Sequence, residues 1–106
     1  MALSEQEFRL KSDEALQQAR RGLMSLADAD AGFELELQNG VLNLVFEEPR
    51  ETKFVVSPNA PVRQIWVSAM GKSYKLAWSP EHSAFAVNGE TLAQLLDRLT
   101  RVFLQS

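Results

Sequence analysis

The sequence predicts an α+β fold, a two-layer α/β sandwich: one helix, an antiparallel sheet of five to six strands, and a second helix, with both helices packed on one face. Three observations predict it. Apolar residues recur at helical spacing near both ends, in Phe8, Leu16, Ala19, Leu23 and Leu26 and in Leu92, Leu95, Leu96, Leu99, Val102 and Phe103. Between them, short stretches alternate apolar and polar residues with period two. Asn39-Gly40 is the strongest short-range hairpin signal, because a type I′ turn needs positive φ at both central positions. With 106 residues and no linker or internal repeat, the chain reads as a single domain over 1–106.

The first helix spans about residues 4–27, with Ser4 as N-cap and Glu7 three residues on to close a capping box. Gly22 near its end costs about 1 kcal/mol relative to alanine, which close packing would explain. Residues 27–32 read as a loop. Phe33, Leu35 and Leu37 alternate with Glu34 and Glu36 in a first strand, and Leu42, Leu44 and Phe46 form the return strand. Phe54 and Val56 mark a third strand. Ser57 to Pro61 reads as an irregular link, since each proline removes a ladder donor. A fourth strand covers about 63–69, a turn falls at Gly71-Lys72, and Tyr74, Leu76 and Trp78 are the inward set of a fifth. Phe85 to Val87 is a short sixth, after which the second helix starts at Asn88 or Gly89.

The fourth strand, Gln64-Ile65-Trp66-Val67-Ser68, divides its bulky residues between two faces. Helices on one side bury Ile65 and Val67 and leave Trp66 on the uncovered side, together with Asn43, Lys53, Val55 and Lys75. Trp66 there is either covered by a loop or packed at the sheet edge, or it is an interface hot spot, because aromatics on polar surfaces dominate binding energies.

Composition excludes several classes of function. There is no cysteine, hence no disulfide, thiolate nucleophile, zinc–sulfur site or iron–sulfur cluster ligated by the chain's own thiols. A net charge of −3 without a basic stripe gives no footprint for nucleic acid. No apolar run approaches membrane-spanning length, and the opening Met-Ala-Leu-Ser-Glu lacks a signal pattern, so the expected location is cytoplasmic. The one histidine, His82, sits in a polar turn, and neither a nucleophile elbow nor a glycine-rich phosphate loop is present, so no enzyme activity is expected. Carboxylates are the remaining candidates, since hard cations such as iron accept oxygen ligands. Yet five acids in the first helix and the start of its loop, through Asp28, meet four bases (Arg9, Lys11, Arg20 and Arg21), which also describes a mixed solvated face.

Three stretches resemble the frataxin family, including the bacterial CyaY-type proteins: Asn39-Gly40-Val41-Leu42, Pro61-Val62-Arg63-Gln64-Ile65-Trp66-Val67-Ser68, and Gly89 to Leu96. The Pro-x-x-Gln-Ile-Trp pattern is the most specific of them, and the elements follow the family's order over nearly the whole chain. The resemblance implies a small iron-binding protein of iron–sulfur cluster assembly that meets a cysteine desulfurase and a scaffold protein, as iron donor or as regulator; a monomer, or a weakly self-associating one, is the expected state. By position, it implies ferrous or ferric iron at Glu5, Asp13, Glu14, Asp28 and Glu34, and partner contacts at Asn59, Gln64 and Trp66. At other ridge positions where the family has acids, this chain places Gln17, Arg21, Met24 and Ser25, and the family's Asp-Trp reads Ala77-Trp78. An interaction module without iron is therefore the alternative reading, and a weak ferroxidase a further one.

Overall fold

The computed structural model describes residues 3–30 and 33–106, the side chains of residues 28–30 excepted. Helix α1 spans Glu5–Asp30. The Ser4 hydroxyl accepts from the Glu7 N–H at 3.1 Å while the Ser4 N–H donates to the Glu7 carboxylate at 3.0 Å, which is the expected capping box. That backbone donor holds the Glu7 carboxyl below its ordinary range. Phe8, Leu16, Ala19 and Leu23 are buried, and Ser12 occupies the turn between the first two with its hydroxyl donating to the Arg9 carbonyl. The helix continues three residues past the expected end, because Ala27-Asp28-Ala29-Asp30 contains no helix breaker.

Gly22 does not fill a tight contact. A β-carbon there would meet nothing within 4 Å, and the residue lines a shallow groove with Ala19, Leu23, Ala93 and Asp97. Gly22→Ala is therefore expected to raise stability by about 1 kcal/mol through helix propensity and a less flexible unfolded chain. Thermal unfolding of the two proteins measures this, and a lower midpoint for the alanine variant would mean that the groove needs the glycine.

Among the described residues the sheet has seven strands, against the five to six expected, in the order β1 to β7 with every neighbour antiparallel. They are β1 (Phe33–Gln38), β2 (Val41–Phe46), β3 (Thr52–Asn59), β4 (Gln64–Ala69), β5 (Lys72–Ser79), β6 (Ala84–Val87) and β7 (Glu90–Thr91). Strand β3 runs through Ser57 and Pro58, which were expected to lie in an irregular link. Its pairing with β2 ends at Val56, so Pro58 lies where that side of β3 has no neighbour and a missing N–H breaks no ladder. A 3-10 turn over Ala60–Val62 then leads to Arg63, held at φ +54, with a side chain that donates to the carbonyls of Leu3 and Ala60.

The β4–β5 turn is Met70-Gly71, one residue before the expected position, since Ala69 pairs with Lys72. The last helix also starts later than expected. Asn88-Gly89, like Asn39-Gly40 and Met70-Gly71, is a positive-φ hairpin pair; it turns β6 into β7, and α2 spans Leu92–Leu104. Thr91 caps it, its hydroxyl accepting from the Gln94 N–H and the Gln94 side chain accepting from the Thr91 N–H.

Both helices press on the face lined by Leu42, Leu44, Phe46, Phe54, Val56, Ile65, Val67, Leu76 and Phe85. Phe8 of α1 meets Phe85 edge-on at 5.6 Å, and Phe103 of α2 lies 4.6 Å from Phe46. Tyr74 and Trp78 share the inward phase of β5 but lie at the margin of the core, with Trp78 packed edge-on to Phe85 and covered by the Lys11 ammonium. Among the described residues, no helix is long and apolar enough to cross a membrane.

The start of α2 is tied down by Arg98, which donates to both carboxylate oxygens of Glu90 at 2.8 and 2.9 Å. These hydrogen bonds hold the Glu90 carboxyl below the ordinary carboxylate range. A depressed carboxyl contributes stability above its unfolded-state value and loses it as pH falls through the folded one. Glu90→Gln is accordingly expected to lower the unfolding midpoint at neutral pH and to match the parent protein in acid. A midpoint difference that persists at low pH would assign the effect to packing.

Candidate functional site

With one face of the sheet under the helices, the period-two phase of each strand determines what the other face carries. Trp66 stands there at 39% exposure. Its neighbours across the ladder are Ser57 on β3 and Lys75 on β5. The indole Nε1 donates to the Gln64 side-chain carbonyl at 2.9 Å, and the Lys75 ammonium sits 5.1 Å from the ring centroid. Among the described residues no loop covers it, and β4 lies between β3 and β5 and not at the sheet edge, which favours the interface reading over the covered or edge-packed one. Asn59 pairs with Gln64 across the β3–β4 ladder. Asn59, Gln64 and Trp66 therefore form one contiguous strip on the uncovered face, and Asn43, Lys53, Val55 and Lys75 share that face as their phases predict.

A depression of about 250 Å³ adjoins the indole, lined by Val55, Ser57, Trp66, Ser68, Ser73 and Lys75. Ser68 shares the Trp66 side of β4 as its phase predicts, whereas Ser57, Ser73 and the opposition of Lys75 to Trp66 escaped the sequence reading. A turn at Gly71-Lys72 sets Ala77 opposite Trp66, and only the observed turn at Met70-Gly71 brings Lys75 there. Small polar residues on the open face of a strand carry no sequence signal of their own.

The acidic positions do not converge. Glu5 is bridged to Arg9 at 3.3 Å, and Asp13 accepts from the Gln17 amide at 3.0 Å. Glu14 is exposed, and the Asp28 side chain lies outside the described residues. Glu34 projects from the edge strand β1 onto the uncovered face, where its ladder partner is Val45, whereas α1 lies on the opposite layer. Among the described residues, no three His, Asp or Glu side chains meet as a metal-ligand set. The described residues do not fit a closed iron site. His82 is an exposed turn residue whose Nδ1 lies 2.8 Å from the Ser79 hydroxyl.

Comparison with known proteins identifies the family and the fold. The family model of the frataxin-like domain matches residues 1–105. The chain belongs to the frataxin-like family. Relatives named iron-sulfur cluster assembly protein CyaY share 37% identity over 68 residues in Cupriavidus metallidurans and 31% over 75 residues in Pseudomonas syringae. Those alignments cover 63% and 67% of this chain and 60% and 66% of the relatives, so the match spans less than two thirds of either relative. The solved structure of a frataxin from Psychromonas ingrahamii superposes with a TM-score of 0.66 at 20% identity, over 98% of this chain and 92% of that one. That likeness shows that the frataxin fold holds from α1 to α2. Within this frataxin-like chain, the Pro-x-x-Gln-Ile-Trp segment forms the centre of the uncovered sheet face, and the acids of α1 are dispersed on the other layer.

Proposed function

We propose that this frataxin-like chain acts in iron–sulfur cluster assembly as a binding module, without turnover of its own, that docks on a cysteine desulfurase–scaffold complex through the Trp66 face and regulates it. The observation that carries this reading is the uncovered indole, hydrogen-bonded to Gln64 and flanked by Asn59 on a polar sheet face. Large amphipathic side chains with few rotamers, preset on a rigid element, are what interface hot spots consist of. The relatives' names supply the pathway, and a cytoplasmic monomer is the form in which the module meets that machinery. Capture of a purified desulfurase–scaffold complex by wild type and by Trp66→Ala tests it directly.

Iron enters this reading as weakly held cargo. The acids at Glu5 and Asp13 are engaged by Arg9 and Gln17, and Arg20 and Arg21 share the helix with Glu14, so attraction for a cation is locally offset. Anaerobic titration with ferrous iron, followed by amide NMR, is expected to broaden Asp13, Glu14 and Glu34 only at excess metal. Admitting oxygen to the same sample should oxidise iron no faster than buffer does. Stoichiometric broadening of these three residues would establish the donor role instead, and accelerated oxygen uptake a ferroxidase.

A further inference from the structure

The charge of the uncovered face is segregated. In a chain of net charge −3, the outward positions of β3, β4 and β5 carry two lysines, Lys53 and Lys75, and no acid. The acids of this face, Glu34 and Glu36, lie on the edge strand β1, two strand spacings or about 10 Å from β3. The depression beside Trp66 sits in the basic part. Its apolar lining is the indole with Val55 and Val67, and its polar lining comes from Ser57, Ser68, Ser73 and Lys75. All of these polar groups can donate hydrogen bonds, and only the hydroxyls can also accept. At about 250 Å³, opening onto the sheet surface, the depression is smaller than an ordinary small-molecule cavity and of a size to seat one side chain of a docked segment.

The geometry points to an acidic, extended segment of the partner protein as the occupant. A carboxylate of that segment enters the depression beside Trp66, its aliphatic stem against the indole and its oxygens taken by the Lys75 ammonium and the serine hydroxyls. Glu34 and Glu36 repel the same segment from the β1 edge and so direct it onto β3 to β5. This inference rests on the reading of the Trp66 face as the docking surface, and adds the charge and shape of what docks there.

Affinity for a purified desulfurase–scaffold complex, measured on the full chain at low and high salt, tests the assignment. Lys75→Glu is expected to weaken binding at least tenfold at low salt, Lys75→Arg to retain it, and Lys72→Glu, on the other phase of β5, to stay within twofold. Circular dichroism of each variant controls for folding. If Trp66→Ala abolishes binding while Lys75→Glu binds like Lys72→Glu, the face is the docking surface and the acidic segment is wrong. If Trp66→Ala binds with full affinity, the docking surface itself is refuted and the pocket assignment falls with it. Sedimentation of the free chain covers the remaining occupant: a mass that rises with concentration and returns to monomer in Lys75→Glu would give the depression to the acids of a second copy.

Discussion

Trp66→Ala is expected to weaken capture of the desulfurase–scaffold complex by roughly thirtyfold or more, corresponding to the 2 kcal/mol or above that a hot-spot residue loses on truncation. Stability should fall by about 1 kcal/mol or less, the scale of a cross-strand pair on an open sheet face. The asymmetry follows from where the indole stands. Its contacts are the Gln64 carbonyl along its own strand and the Lys75 ammonium across the ladder, both on the solvent side, so truncation opens no internal cavity. Thermal unfolding and binding measured on the same preparation separate the two effects. A large fall in the unfolding midpoint would make Trp66 a structural residue and remove the argument for its role in docking.

Phe46→Ala is expected to do the reverse. Phe46 is 1% exposed, and its ring lies 5.0 Å from Phe33, 4.8 Å from Phe54 and 4.6 Å from Phe103. It thus ties β1, β2, β3 and α2 together at one point. Truncating a buried phenylalanine costs about 3–5 kcal/mol, a large part of the roughly 5–15 kcal/mol available to a domain. The thermal midpoint should drop by about 15–30 °C. Phe46→Leu, which keeps most of the volume, should fall by much less, and equal losses for the two variants would mean that aromatic geometry and not cavity volume holds this corner.

The phases of the strands were legible because each rests on a local period. Leu42, Leu44 and Phe46 alternate with Asn43 and Val45, and a sheet covered on one side must bury the first set. The caps Ser4 and Glu7 were legible for the same reason, as a reciprocal bond between residues three apart needs nothing from the rest of the chain. Boundaries were less legible where two local signals compete. Asn88-Gly89 fits a helix start and a hairpin equally in sequence, and pairing of Ala86 with Thr91 decides for the hairpin. Met70-Gly71 lost to Gly71-Lys72 because methionine gives no sign of the positive φ it adopts.

The candidate site divides along the same line. The order of helices and strands, the side of β4 on which Trp66 stands and the lack of thiols follow from the sequence alone. These depend on composition and on periods of two and 3.6, which operate over a few residues. That no described residue closes over Trp66, that Lys75 stands opposite it and that Glu34 faces away from the layer of α1 emerge only in the folded chain. Each of these depends on register or on which layer lies over which strand, and both are set by contacts between residues far apart in the chain.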